Sequence, residues 1–128
     1  MKVNELRIGN YLYLCGWHVR VVGVLEDGVY VNNLNSLFKV DITDVRPIPL
    51  TKGFFEKNGF IKASFYCKVF YFKNIKGMIV KAYEHSDGWE FHMEHEESIN
   101  AFSKWLQYVH EFQNAYYVST GEGLEVKL

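Results

Sequence analysis

The sequence predicts an α+β protein: a small N-terminal β-barrel, a short helix, and a three-stranded antiparallel sheet covered by a long C-terminal helix. Two Asp-Gly pairs lie between apolar runs, at 27–28 and 87–88, and such pairs favour tight hairpin turns. After residue 101, apolar residues recur at steps of three and four, which is typical of an amphipathic helix. We expect one domain over residues 1–128, with the barrel as a subregion at 1–50 and the other elements at 51–128.

The first fifty residues alternate between apolar strand-like runs and short turns. Alternation places Val19 and Val21 on one face of a strand and Arg20 on the other. Four or five strands are predicted, and the first four are Tyr11–Leu14, His18–Leu25, Val29–Val31 and Leu37–Val40. Asp41–Val45 could then form a single helical turn before a final extended piece. Short strands joined by tight turns favour a closed barrel, and this layout resembles Src-homology-3-like barrels.

The stretch RPIPLT, residues Arg46–Thr51, separates the barrel from the rest of the chain. Proline fixes an extended backbone and disfavours helix in the residue before it. Thr51 is a good N-cap for a short helix over Lys52–Asn58, and Gly59 is positioned to end that helix.

Three strands are predicted next, over Ile61–Phe72, Met78–Glu84 and Trp89–Glu94. If Asp87 and Gly88 form a two-residue turn, the register of the second hairpin follows from it. That register places Lys81 opposite Glu94 on a polar face and leaves the other face apolar, to receive the long helix.

The last helix is predicted from an apolar stripe formed by Phe102, Trp105, Leu106, Val109, Phe112 and Tyr116. Ser98 or Asn100 could cap its start, and Gly121 is placed to end it. A second, polar stripe runs beside the first and consists of His110, Gln113, Asn114 and Tyr117. This flank has two interpretations: a polar border that anchors the helix to neighbouring loops, or a candidate interaction surface.

Composition narrows the class of protein. A hydrophobic fraction of 48% argues against a disordered chain, and no apolar run is long enough to span a membrane. Cys15 and Cys67 fall in apolar runs, so we expect buried free thiols and a cytoplasmic protein. The net charge of −1 hides a contrast: residues 51–82 carry seven lysines and one acid, whereas residues 83–128 carry two lysines and nine acids.

Motifs for catalysis are missing from the sequence. It contains no GxSxG elbow, no zinc-peptidase HExxH helix, no zinc-finger spacing and no glycine loop that opens a helix onto a phosphate. Four possible metal ligands share one face of the predicted hairpin, and we interpret them as an exposed polar face with cross-strand pairs: His85, Glu90, His92 and Glu94. We therefore expect a protein that is not an enzyme, with no catalytic residue, no metal site and no cofactor.

Binding functions are left as two hypotheses. The first is a protein-interaction or adaptor module, because 17% of the residues are aromatic and such side chains supply large contact areas. Its partner would be another protein or a second copy in a homodimer, and not a membrane. The alternative is a nucleic-acid-binding module, since lysines alternate with aromatic residues over 57–81; its candidate face is Lys62, Lys68, Lys73 and Lys81.

Four stretches carry a family resemblance: ELRIGN at 5–10, RPIPLT at 46–51, NGF at 58–60 and YVHEFQNAYYVSTGEGL at 108–124. Together they resemble a family of short uncharacterised proteins encoded by phages and mobile elements of gut Bacteroidales. The resemblance implies a bacterial or phage origin, a cytoplasmic location and a recurring architecture. It implies no catalytic residue.

Overall fold

The structure, a computed structural model, describes residues 1–95 and 102–128. The described residues form two antiparallel sheets and one main helix near the C-terminus, so the α+β prediction is confirmed. The elements are β1 Tyr11–Leu14, β2 Trp17–Val24, β3 Gly28–Asn33, β4 Ser36–Asp41, β5 Val45–Pro47, α1 Lys52–Lys57, β6 Ile61–Phe65, β7 Lys68–Ile75, β8 Met78–His85, β9 Gly88–His95, β10 Phe102–Leu106 and α2 Val109–Thr120. Single 3-10 turns lie at Val3–Glu5 and Ile42–Asp44.

Two compact units make up the chain. The first combines Met1–Pro49 with Tyr108–Glu125, and the second combines Leu50–Gln107 with Val126–Leu128. The predicted division was a barrel subregion at 1–50 and the other elements at 51–128. Helix α2 lies in the first unit, whereas the prediction grouped it with the three-stranded sheet. That the whole chain is one domain stays a prediction.

The first unit is built on a sheet with the strand order β4-β3-β2-β1-β5. Its core is a cluster of small aliphatic side chains, namely Leu6, Leu12, Val19, Val21, Val29, Val31, Val40 and Val45. The prediction of Val19 and Val21 on one buried face is thus confirmed. A bulge between Val21 and Gly23 lets the strand continue toward the turn before β3.

A closed barrel is not seen. Among the described residues β4 and β5 remain the two edges of the first sheet, so the Src-homology-3-like barrel is not confirmed. The chemistry of β5 gives a physical reason. It has three residues, it ends at Pro47, and proline has no N–H to donate to a further strand.

The second unit packs a sheet with the order β10-β9-β8-β7-β6 against α1. Thr51 caps α1 as predicted, because its Oγ1 accepts a hydrogen bond from the N–H of Phe54 at 3.1 Å. Phe55 lies at the centre of an aromatic core, with its ring centroid 4.5–5.8 Å from those of Phe54, Phe60, Tyr71, Trp89 and Phe91.

Five strands replace the three that were predicted, for two reasons. Ile61–Phe72 is a hairpin and not one strand, because Tyr66 and Cys67 adopt φ angles of 48° and 64° and reverse the chain. Phe102–Leu106 is strand β10, paired with β9, although its apolar spacing suggested helix. Over five residues the helical and the extended patterns are hard to distinguish, and pairing with β9 satisfies the backbone of this segment.

Helix α2 is accordingly shorter than predicted. It begins at Val109, after Tyr108, whose N–H donates to the Glu111 carboxylate at 3.0 Å. The candidate caps Ser98 and Asn100 lie outside the described residues. The predicted end at Gly121 is confirmed: this glycine has a φ of 74°, and its N–H donates to the carbonyl of Tyr117 at 2.7 Å.

The β8–β9 hairpin has the predicted faces but a different register. The turn residues are Ser86 and Asp87, so that Glu84 pairs with Trp89 and Lys81 with His92. This is a shift of two residues from the register set by an Asp87-Gly88 turn. A shift of two keeps every side chain on its face, because side chains alternate with a period of two.

Candidate functional site

The polar flank of α2 is fastened to the segment before β1. The Gln113 side chain accepts from the N–H of Tyr11 and donates to the carbonyl of Gly9, both at 3.0 Å. Asn114 accepts from Asn10 Nδ2 and donates to the carbonyl of Glu5, both at 2.8 Å. These bonds join residues more than a hundred positions apart in sequence, and they match the interpretation of the flank as an anchor.

Tyr117, the last member of the flank, lines a cavity of about 620 Å³ within the first unit. The guanidinium of Arg7 lies over the Tyr117 ring, with its carbon 3.4 Å from the ring centroid. The other side chains and backbone of the cavity come from Ile8, Gly9, Asn10, Arg20, Gln113, Asn114, Gly123, Leu124 and Glu125. Arg7 and Arg20 were not predicted as site residues, because neither is part of a sequence motif that indicates a binding site.

His110 differs from Gln113 and Asn114 of the flank in its lack of side-chain hydrogen bonds within the described residues. Only 2% of its surface is exposed, and within the described part of the chain neither ring nitrogen has a hydrogen-bond partner. Its ring is parallel to that of Tyr108 at 5.9 Å. Burial lowers the pKa of His110 below its ordinary value, against an opposing effect of the Glu111 and Glu5 carboxylates.

The four lysines of the alternative nucleic-acid face are split by the second sheet. Lys62 pairs with Tyr71 and Lys73 with Val80, which places both on the face that carries the buried core. Lys73 Nζ is also used internally, donating to the carbonyl of Asn58 at 2.7 Å. Lys68 and Lys81 lie on the opposite face, since Lys68 pairs with Phe65 and Lys81 with Phe72.

That opposite face, called the outer face below, carries a set of rings. One row crosses all five strands through Ala63, Phe70, Tyr83, Glu90 and Trp105, each paired with the next. The Phe70 and Tyr83 ring centroids are 5.1 Å apart, Tyr83 and His92 are 5.3 Å apart, and His85 and Trp105 are 4.3 Å apart. Phe65 and Trp105 are 66% and 53% exposed, which is high for such large apolar side chains.

Two acidic side chains of the outer face lie beside basic ones. Lys81 Nζ lies 3.5 Å from a Glu94 carboxylate oxygen, so the predicted proximity of these two residues is confirmed although their backbone pairing is not. One oxygen of Glu90 lies 3.6 Å from His85 Nε2 and 3.3 Å from His92 Nε2. No group of three or more His, Cys, Asp or Glu side chains in residues 1–95 and 102–128 has the geometry to hold a metal ion.

A cavity of about 680 Å³ is lined from both faces of this sheet. Phe65, Lys68, Tyr83, His85, Glu90 and His92 belong to the outer face, and Lys62, Val69, Tyr71 and Glu84 belong to the inner face, with Lys52 of α1 and Cys67 of the β6–β7 turn completing the lining. Both cysteines were expected to be buried, and this was wrong: Cys15 and Cys67 are free and exposed. Each occupies a hairpin turn with a positive φ. An apolar neighbourhood in sequence therefore did not indicate burial at these two positions.

Comparison of the chain with protein-family models, with curated proteins and with solved structures found no match in any of the three. None of the helices that the structure describes is both long and apolar enough to cross a membrane. The function must therefore be argued from the geometry of the two surfaces described above.

Proposed function

We propose that this chain is a non-enzymatic protein-interaction module of phage or mobile-element type, an adaptor that acts in the cytoplasm of a bacterial host. It binds its partner protein through the outer face of the second sheet. The observation that carries this proposal is the set of partly exposed rings on that face, namely Phe65, Phe70, Tyr83 and Trp105.

Aromatic exposure supports a protein partner. Phe65, Phe70, Tyr83 and Trp105 present flat, rigid surfaces that lose little conformational entropy when they are covered. The cavity beside Phe65 and Tyr83 gives a partner side chain a place to anchor. Exposed Phe and Trp side chains on one face of a sheet are costly to leave in water, and binding another protein removes that cost.

Charge compensation supports a protein partner over a polyanion. Lys81 is matched by Glu94, and Glu90 lies between His85 and His92. A surface that binds phosphates gains affinity by releasing counterions from unpaired cations, and here the positive field is largely cancelled locally. A mixed, locally neutral face with aromatic side chains is typical of the centre of a protein–protein interface.

Nucleic-acid binding remains the second candidate because exposed rings on an open sheet can stack on unpaired bases. The distribution of lysines works against it. Lys73 donates to the carbonyl of Asn58 on the inner face, and Lys81 is paired with Glu94. Lys62 and Lys68 are left at the cavity beside the rings.

A capture experiment tests the proposal. The full chain, a Phe65→Ser/Trp105→Ser variant and a Trp17→Ser/Phe38→Ser variant are each incubated with bacterial host lysate, with and without nuclease. The second variant is the matched control, because it removes one exposed Trp and one exposed Phe from the first unit. We expect a nuclease-resistant partner that the outer-face variant fails to retain and the control retains.

Binding of the purified partner then gives the magnitude. We expect the outer-face variant to bind at least about tenfold more weakly, as is common when central aromatic contacts are removed. Sedimentation of the protein alone shows whether the partner is a second copy of the chain. If nuclease abolishes capture, the chain binds nucleic acid and not a protein. If both variants lose the partner equally, the outer face is not the binding site.

A further inference from the structure

We propose that the cavity of the first unit is a binding site for a small ligand with one anionic oxygen group, a carboxylate or a phosphate, held between Arg7 and Arg20. This site is separate from the outer face of the second sheet and does not depend on the function proposed for it. It lies where the 7–10 segment, β2, the end of α2 and the 123–125 segment contribute to one concave surface.

Arg7 is oriented before any ligand arrives. Its guanidinium carbon lies 3.4 Å from the centroid of the Tyr117 ring, so one planar face of the guanidinium is covered. Stacking of this kind leaves the N–H groups at the edge of the plane, where they can donate to two oxygens at once. The backbone of Arg7 is fixed as well, because its N–H donates to Asn10 Oδ1 at 2.8 Å.

Arg20 approaches the same cavity from β2. A Cβ placed on Gly9 would lie 3.8 Å from Arg20 Nη2, so the guanidinium passes close to the backbone at a residue without a side chain. Gly9 has a φ of 99°, a conformation that other residues rarely adopt. The 7–10 segment therefore has the shape needed to leave room for this guanidinium.

Cations exceed anions in the lining. Arg7 and Arg20 carry two positive charges and Glu125 carries one negative charge. Within residues 1–95 and 102–128, neither guanidinium lies within 4.0 Å of a carboxylate oxygen. Two unmatched guanidiniums with one excess positive charge are suited to an anionic oxygen group.

The base of the cavity is rigid and polar, and one wall is apolar. Asn10 and Gln113 are buried, and their hydrogen bonds to Asn114, Gly9 and Tyr11 hold them in place. Ile8, which is 70% exposed, and Leu124 supply the apolar wall. A volume of about 620 Å³ is within the range of small-molecule sites, so the ligand class is an oxyanion with a short apolar group.

Nuclear magnetic resonance titration of the full-length protein tests this site. The probes are inorganic phosphate and 4-methylpentanoate, a branched carboxylate, each added up to millimolar concentration at constant ionic strength. We expect saturable shifts of the Gly9, Asn114 and Tyr117 amides with at least one probe. Tighter binding of the carboxylate would identify an amphipathic acid as the ligand class, and tighter binding of phosphate would identify a phosphorylated one.

Two variants distinguish binding at this site from non-specific electrostatic attraction of the anion to the protein. Arg20→Gln should weaken binding by about tenfold or more, because it removes charge-assisted hydrogen bonds to the oxyanion. Lys39→Gln is the matched control, since Lys39 is an exposed cation on β4 of the same unit and does not line the cavity. The proposal is overturned if neither probe gives saturable shifts, if the shifts centre elsewhere, or if both variants lose affinity equally.

Discussion

At the scale of single residues, His110 carries the clearest energetic cost. A buried donor or acceptor without a partner costs about 1–3 kcal/mol, and both ring nitrogens of His110 are in that condition among the described residues. Its lowered pKa also makes stability depend on pH. The unfolded chain binds a proton near the ordinary value of 6.5, whereas the folded chain binds it only at lower pH.

Replacing His110 by leucine, which is apolar and of similar volume, should stabilise the protein by about 1 kcal/mol and raise its melting temperature by about 3 °C. The unfolding free energy of the wild type should fall as the pH drops below 6.5, and it should level off below the folded-state pKa. His110→Leu should lose this part of the pH dependence. Urea denaturation of both proteins between pH 4.5 and 8 measures the two effects, and an unchanged slope would contradict them.

Gly28 is required by a close approach between strands. A Cβ at this position would overlap the carbonyl oxygen of Val40, the residue before Asp41, with which Gly28 pairs across the β3–β4 ladder. Gly28→Ala should therefore destabilise the protein by about 1–3 kcal/mol, since one of the two backbones must move. Gly123→Ala is the control, because nothing lies within 4 Å of its Cβ, and its effect should stay within about 0.5 kcal/mol. Equal midpoints of urea denaturation would contradict this account.

At the scale of elements, the β6–β7 hairpin stores backbone strain at its tip. Tyr66 and Cys67 both have positive φ, which favours Asn and Gly and costs other residues about 1 kcal/mol each. Tyr66→Asn with Cys67→Gly should raise the unfolding free energy by about 1–2 kcal/mol. Ser86→Asn with Asp87→Gly is the control in a two-residue turn without positive φ, and it should give no gain. Calorimetry compares the two, and similar gains in both turns would argue against strain.

The same hairpin shows which elements sequence could predict. Two helix ends were predicted correctly from a glycine or a capping threonine, namely the end of α2 at Gly121 and the start of α1 after Thr51. The turn at Tyr66 and Cys67 was missed, because nothing in those two residues signals a reversal. Its conformation is imposed by pairing of the flanking strands, and that pairing depends on the rest of the sheet.

At the scale of the whole molecule, the charge contrast of the sequence is partly cancelled by folding. Lys81 is paired with Glu94 and Lys52 lies 3.8 Å from Glu84, so lysines of the basic segment meet acids of the following one. We expect no retardation of single-stranded DNA, duplex DNA or RNA at physiological salt with micromolar protein. Non-specific binders have dissociation constants of about 1–100 μM under those conditions.

Retardation that falls steeply with salt and is abolished by Lys62→Gln, Lys68→Gln and Lys73→Gln together would instead show a phosphate-binding surface. Because Lys62 and Lys73 lie on the face opposite Lys68, comparison with Lys68→Gln alone shows which face takes part. If the single change accounts for the whole loss, the outer face would be the nucleic-acid surface.

The candidate sites were predictable only in part. The polar flank of α2 was found from helical periodicity, and three of its four members, Gln113, Asn114 and Tyr117, line the cavity of the first unit. Arg7 and Arg20 could not be found, because they are brought to that cavity by contacts between segments far apart in sequence. The outer face was seen as a polar hairpin surface, but Trp105 was assigned to a helix and so was missing from it.

Sequence by itself determined the α+β class and the faces of the β8–β9 hairpin, because periodicity and turn chemistry act over a few neighbouring residues. Tertiary structure decided the register of that hairpin, the fate of Phe102–Leu106 and the unit to which α2 belongs. Those outcomes depend on which distant backbone groups and apolar surfaces satisfy one another, and a local pattern allows more than one solution. The same dependence explains why Cys15 and Cys67, each in an apolar run of the sequence, lie exposed at the tips of hairpins.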